Sequence, residues 1–363
     1  MKKPKVLIVE DSAFMRKLIT DFLMEDQSFN VIGYARNGKD AIDKIKQLQP
    51  DVVTLDVEMP IMDGLEALKI IMAECPLPVI MLSSSTQSGA DNTVLAMQYG
   101  AFDFIAKPSG AISLDLHKVK DELKEKITAA SKAKLSRFQK NLTVPKRKVS
   151  ETVIYSKIDS SYNRNIVPKT FSQTSQKVIA IGTSTGGPRA LQRVLTNLPG
   201  TIDAPIAIVQ HMPAGFTKSL ANRLDSLSAI SVKEVEDNEV LHKGTAYIAP
   251  GGYHFRVVQK GKDLVAKLGR EEAVNGHRPS VDVLFESISA LDNHSVICVI
   301  MTGMGSDGSK GLITLKQKRP TISIAESEDT SIVFGMPRAA IATNLVDDVE
   351  NVENIARAIV KYC

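Results

Sequence analysis

Short apolar runs alternate with segments of helical period along the first third of the chain, and this rhythm leaves few folds open. Residues 6–9, 31–35, 52–55, 79–82 and 102–106 are rich in Val, Ile, Leu or Phe and each is strand length. Between and after them lie 13–25, 39–48, 65–73, 90–99 and 112–130, with apolar residues at three- and four-residue intervals. Such runs read as parallel strands buried on both faces, with the intervening helices as right-handed crossovers. Five such units in so short a stretch predict an α/β domain of flavodoxin-like type, with strand order 2-1-3-4-5.

The rhythm stops and then resumes. Residues 131–177 hold eleven Lys or Arg against two Asp or Glu, with twelve Ser or Thr and no Gly. That net +9 exceeds the +4 of the whole 363-residue chain, so the remainder carries −5. A stretch of this composition without period reads as a solvated connector. The predicted organisation is therefore a domain at 1–130, a basic linker at 131–176 and a second domain at 177–363. Placing the positive charge in the linker also removes the main argument for a nucleic-acid partner, since no groove-reading helix accompanies it.

The second half is α/β again. Parallel strands are expected at 178–181, 206–209, 296–301 and 322–325, and helices at 189–197, 216–227, 281–290 and 307–318. The runs 247–249, 255–258 and 264–267, separated by Gly-Gly and Lys-Gly-Lys, read as a small antiparallel insertion in a doubly wound sheet. No apolar run approaches the ~18 residues of a membrane span. The first residues read as a strand rather than a secretory leader, and three widely spaced cysteines suggest neither disulfides nor zinc. A cytoplasmic protein without membrane insertion is the expectation.

In parallel sheets, functional side chains collect beyond the carboxyl ends of the strands. A lone strand-end Asp is usually a helix cap, but here four strands end in polar groups: Glu10-Asp11, Asp56, Ser83-Ser84 and Lys107-Pro108. Carboxylates from two neighbouring strands suit Mg²⁺, with Lys107 and Ser83 facing an anion gathered there. This pattern resembles the receiver domain of response regulators. The resemblance implies Asp56 as phosphoacceptor, Glu10, Asp11, Asp56 and the Glu58 carbonyl as Mg²⁺ ligands, and Ser83, Lys107 and Phe104 as the phospho-switch. It also implies a histidine kinase as phosphodonor.

The other motif begins at Gly182-Thr-Ser-Thr-Gly-Gly-Pro188, directly after an apolar run. A Gly-x-Ser-x-Gly turn between strand and helix can present a nucleophilic hydroxyl, and it can equally cradle a phosphate. His211 follows a second strand and Asp307 a third, so Ser184 as nucleophile, His211 as base and Asp307 as its orienter form a candidate triad. Its chain order, Ser-His-Asp, differs from that of α/β-hydrolases. Together with Gln210-His-Met-Pro213, Ile248-Ala-Pro-Gly-Gly252, His277-Arg-Pro-Ser-Val-Asp282 and Thr302-Gly-Met-Gly-Ser-Asp-Gly308, the second half resembles the catalytic domain of chemotaxis protein-glutamate methylesterases.

That resemblance implies a phosphorylation-activated serine hydrolase that demethylates glutamate methyl esters and deamidates glutamines on methyl-accepting chemotaxis receptors. It implies backbone N–H groups of Thr185 and Met304 as the oxyanion hole and no cofactor for the ester chemistry. His254, His277 and Asp282 are lesser candidates, with the His277 segment read as shaping the rim. The alternative from the residues is a response regulator whose second domain only binds.

Overall fold

In a computed structural model, residues 3–25, 27–108, 115–133 and 176–363 are described. The predicted linker lies almost wholly outside them, as do residues 112–114 at the expected start of the fifth helix. The first unit runs β1 (Lys5–Val9), α1 (Ala13–Met24), β2 (Asn30–Ala35), α2 (Gly38–Leu48), β3 (Val52–Asp56), α3 (Gly64–Glu74), β4 (Val79–Ser83), α4 (Gln87–Tyr99), β5 (Asp103–Ala106) and α5 (Asp115–Lys132). Its sheet has the expected order β2-β1-β3-β4-β5, and every paired strand is parallel.

Local chemistry sets where these helices begin. Ser12, Asn37, Asp63 and Thr86 each accept a backbone N–H of the first turn, starting α1, α2, α3 and α4 just past the strand ends. β1, β3 and β4 are buried on both faces, and each fully buried Val, Ile or Leu contributes about 1.5–3 kcal/mol. Gly64 is required by packing: a Cβ there would lie 2.0 Å from the Asp56 carbonyl oxygen, so the loop after β3 closes only around a bare backbone.

The second unit contains β6 (Gln176–Thr183), α6 (Gly187–Leu195), β7 (Ile206–Gln210), α7 (Phe216–Asp225), β8 (Ser231–Glu234), β9 (Thr245–Ile248), β10 (His254–Lys260) and β11 (Asp263–Gly269). It continues through α8 (Val281–Ser289), β12 (His294–Ile300), α9 (Ser309–Lys318), β13 (Thr321–Glu326), α10 (Met336–Ala342), β14 (Asp348–Glu350) and α11 (Val352–Tyr362). Seven parallel strands form one sheet in the order β14-β13-β12-β6-β7-β9-β8, and β10 and β11 form a separate antiparallel pair. Cys298 is fully buried in β12 among apolar side chains, as a small hydrophobe.

One strand assignment is corrected. The run at 247–249 does not join an antiparallel insertion, because β9 pairs in parallel with β7 and β8 inside the main sheet. A short apolar run carries no direction of its own; the connection through α7 and β8 sets it. Burial of Ala246 in one core and Tyr247 in the opposite one marks β9 as an interior strand. β8 and β14 sit at the sheet edges with polar or three-residue sequences, and α10 and α11 complete the coat; none of these four elements was expected. No helix among the described residues is long and apolar enough to cross a membrane.

Candidate active site

The carboxyl ends of β1, β3 and β5 bring Glu10, Asp11, Asp56 and Lys107 together. Carboxylate oxygens of the three acids lie within 4.8 Å of one another. Lys107 Nζ reaches Glu10 Oε2 at 2.8 Å and Asp56 Oδ2 at 2.7 Å. Glu10 and Asp56 are buried, and that burial pushes Glu10 up to about 7 and Asp56 above the usual carboxylate range despite the lysine. Burial works against the charge of Lys107 too, but its bonds to Asp56 and Glu10 outweigh this and raise it. One cation among three acids leaves an excess of negative charge, and the all-oxygen donor set fits a hard divalent ion. Glu58 N–H donates to Asp56 Oδ1 at 3.3 Å, which sets the Glu58 backbone beside that carboxylate.

Ser83 and Phe104 lead from this pocket toward the second unit. Ser83 is fully buried, and its hydroxyl donates to the Gly89 carbonyl at the start of α4 at 3.0 Å. Lys107 N–H donates to the Ser83 carbonyl at 2.7 Å, tying β5 to β4. Phe104 is 3% exposed, and its ring lies 4.7 Å from that of Phe216 on α7. Of these residues Phe104 thus takes part directly in the contact between the units.

In the second unit Ser184, His211 and Asp307 follow β6, β7 and β12. His211 Nε2 and Asp307 Oδ2 are 2.8 Å apart and both side chains are buried. Asp307 also accepts from Ser280 Oγ, Asn275 Nδ2 and the N–H groups of Val281, Asp282 and Gly308. Burial pushes this carboxyl up, yet the bond and charge of His211 and the N–H groups at the start of α8 hold it well below the usual range. The sequence expects Asp307 to open its own helix; that helix begins two residues later, and Asp307 instead serves the N-terminus of α8, a distant segment.

Ser184 is held beside His211 through the backbone. Gln210 Nε2 donates to the carbonyls of both Ser184, at 3.0 Å, and His211, at 3.1 Å, while His211 N–H donates to the Thr183 carbonyl. Gly187 N–H closes the turn onto Ser184 O at 2.7 Å, and a Cβ on Gly187 would meet Gln210 Oε1 at 1.9 Å. His211 Nδ1 is buried and makes no hydrogen bond, so Ser184 Oγ is not bonded to it in this state. With Nε2 committed to Asp307, Nδ1 is the nitrogen left for a proton from the serine.

Around the three residues stand the lesser candidates His277, His254 and Asp282, together with Asp103, Lys126, Gln87, Gln98 and Arg223, which sequence reasoning did not single out. The His277 ring stacks on His211 with centroids 3.8 Å apart, and burial followed by the nearby His211 charge pushes it down to about 4. The His277 segment thus forms a wall of the site, consistent with the rim reading. His254 instead bonds the Glu272 carbonyl, and Asp282 accepts from Gly308 and Gly311 N–H, which fixes the loop after Asp307. From the first unit, Asp103 accepts the hydroxyl of Thr185 at 2.5 Å, and Lys126 on α5 binds Asp103 at 3.3 Å and Glu122 at 2.7 Å. Gln98 and Gln87 on α4 bond Arg223 and Ser219 on α7. Met304 lies half-buried in the loop after β12, next to Gly303, where a Cβ would stand 2.7 Å from that of Ser184.

Comparison with known proteins follows the same division. Residues 179–359 match the family model described as CheB methylesterase, and residues 6–117 match the response regulator receiver domain. A protein-glutamate methylesterase/protein-glutamine glutaminase of Geobacillus kaustophilus is 55% identical over 361 residues, covering 99% of both chains. The Bacillus subtilis protein of that name is 47% identical over 355 residues, covering 98% of this chain and 97% of its own. The solved Thermotoga maritima CheB methylesterase catalytic domain is similar with a TM-score of 0.50 and 41% identity, over 52% of this chain and all of that one. These relatives are named as enzymes and give no support to a second domain that only binds.

Proposed function

The chain belongs to the protein-glutamate methylesterase/protein-glutamine glutaminase family, and from that premise we propose that Ser184, His211 and Asp307 carry the family's acyl transfer on chemoreceptor side chains. The protein is a phosphorylation-regulated enzyme of chemotaxis with a receiver domain ahead of its esterase domain. We assign the receiver to 1–130, the linker to 131–176 and the esterase to 177–363. The single observation that best supports the triad is the buried 2.8 Å contact of His211 with Asp307, beside the Gln210 tie to Ser184.

Ser184 Oγ attacks the carbonyl carbon of a γ-glutamyl methyl ester while His211 Nδ1 takes its proton. Asp307, kept ionised, holds the imidazole in one tautomer and stabilises the imidazolium. The N–H groups of Thr185 and Met304 receive the oxyanion, each donor worth ~2.7–4 kcal/mol of transition-state stabilisation. Collapse breaks the C–OMe bond, and the proton on His211 leaves with methanol. Water then attacks the acyl-Ser184 ester, giving a proton to His211, which returns it to Ser184 Oγ as that bond breaks; the glutamic acid released loses its own proton to water. A glutamine substrate follows the same course with ammonia as the leaving group.

In the receiver, Glu10, Asp11, Asp56 and the Glu58 carbonyl would hold Mg²⁺, which when bound offsets the charge of an incoming phosphoryl group. Asp56 accepts that group from a chemotaxis histidine kinase, and the added charge of about −1.5 to −2 draws Lys107 and Ser83 toward it. Movement of β4 and β5 then loosens Phe104 from Phe216 and Asp103 from Thr185, uncovering Ser184. The enzyme works in the cytoplasm on methyl-accepting chemotaxis receptors. Its partners include no nucleic acid, it does not insert into the membrane, and its esterase step takes no cofactor.

A serine-directed phosphonate tests the site: it should label the full chain, and Ser184→Ala and His211→Ala should abolish labelling. Ester hydrolysis should rise with a small phosphodonor and Mg²⁺. An Asp56→Asn variant that still responds would overturn the regulatory part.

A further inference from the structure

Thr302, two residues past the end of β12, ties the turn that carries Ser184 to the Val333 segment. Its carbonyl accepts from Ser184 N–H at 3.0 Å and from Thr183 Oγ1 at 3.2 Å. Its hydroxyl donates to the Thr185 carbonyl at 2.8 Å and accepts from Val333 N–H at 3.0 Å. The next residue, Gly303, is fixed by Val333 on one side and by Gly335 and Met336 on the other, so the loop bearing Met304 starts from a rigid base.

The backbone N–H of Thr302 reaches a buried acid. It donates to Glu326 Oε2 at 2.8 Å. Glu326 ends β13 and is 1% exposed; its other oxygen accepts from Thr330 Oγ1 at 2.9 Å. Thr330 Oγ1 in turn accepts from Val352 N–H, anchoring the acid to the first turn of α11. Burial pushes this carboxyl up to about 7, so the acid is held here against a desolvation cost, while the two donors it accepts from would lose their partner without it. The acid's main service is to Thr302, whose carbonyl holds the Ser184 N–H and whose hydroxyl holds the Thr185 carbonyl.

We propose that Glu326 is a positioning residue for the esterase reaction: through Thr302 it holds the Ser184–Thr185 turn and the Met304 loop at the spacing that the nucleophile and both oxyanion donors require. The inference rests on the Ser184 site proposed above. Glu326 touches no substrate. Its contribution lies in geometry, where a displacement on the order of 1 Å can cost about 100-fold in rate.

The test uses the full-length chain after phosphodonor treatment, with ester hydrolysis, phosphonate labelling rate and thermal midpoint measured together. Glu326→Leu should lower kcat about 10–100-fold with KM unchanged, and slow labelling by the same factor. Glu326→Gln keeps an acceptor for Thr302 N–H and should stay within about threefold of the parent. Should the leucine variant fail to fold, Glu326→Asp decides, since it retracts the acceptor by one methylene and should lower kcat by about tenfold. Parental kcat in Glu326→Leu or Glu326→Asp, a loss carried by KM, or a Gln variant as impaired as Leu would overturn the proposal. Ser184→Ala in the same assay separates the two readings. Labelling that survives there defeats the site itself, whereas Ser184-dependent labelling at the parental rate in the Leu and Asp variants defeats only the role of Glu326.

Discussion

Replacing Gln98 and Gln87 together by alanine should release the esterase without touching either chemical site. On α4, Gln98 Oε1 accepts from Arg223 Nε at 3.2 Å and Nη2 at 2.9 Å, and Gln87 Nε2 donates to Ser219 Oγ at 3.0 Å. A bond from a charged donor contributes about 1.5–3 kcal/mol and a neutral one about 0.5–1.5 kcal/mol; partial exposure of both pairs reduces the sum to roughly 1.5–3 kcal/mol. That shifts the docked-to-undocked equilibrium roughly 10–100-fold toward undocked. Phe104 on Phe216 and Asp103 on Thr185 remain, so docking weakens without being abolished. The assay is the initial rate of ester hydrolysis by the unphosphorylated full chain, compared with the same variant after a small phosphodonor and Mg²⁺. The basal rate should rise toward the phosphorylated rate, and the gain on phosphorylation should shrink. A parental basal rate with a full phosphorylation gain would refute the idea that these contacts hold the receiver over Ser184.

Asp307→Asn should lower kcat on the order of 10³–10⁴-fold while KM stays put, because the amide no longer stabilises the imidazolium; steady-state kinetics beside a thermal melt separates this from unfolding. Gly303→Ala would place a Cβ 2.4 Å from Met336 Sδ and 2.7 Å from Ser184 Cβ, so phosphonate labelling should slow about tenfold or more. His277, lowered from 6.5 to about 4, is uncharged in the folded state where the unfolded chain binds a proton. Stability therefore falls as pH drops from 6.5 toward 4, and in urea unfolding a His277→Phe variant, which keeps the stack, should lose on the order of 2 kcal/mol less across that window.

The strand ends explain why so much of the receiver pocket is legible. Glu10, Asp56 and Lys107 each sit at the end of an apolar run, and a parallel sheet brings such ends to one edge without further information. Ser184 and His211 follow the same logic on β6 and β7. Asp307 is legible as a strand-end acid but not in its task, since its partners Asn275, Ser280 and Val281 come from a segment more than twenty residues earlier. Gln210 and Glu326 belong to apolar runs as their polar last residues, and nothing local distinguishes a tie to Ser184 or Thr302 from an ordinary strand end.

By itself the sequence determined the two α/β units, the parallel order of the first sheet and the residue types at the strand ends, because burial periodicity and turn chemistry are local properties. Only the tertiary structure decided the direction of β9, the service of Asp307 to α8, the stack of His277 on His211 and the seating of Asp103 and Phe104 against Thr185 and Phe216. Each of these pairs groups far apart in the chain, and a hydrogen bond or ring contact between them leaves no period in the sequence; it exists only once the sheets and their helices have packed.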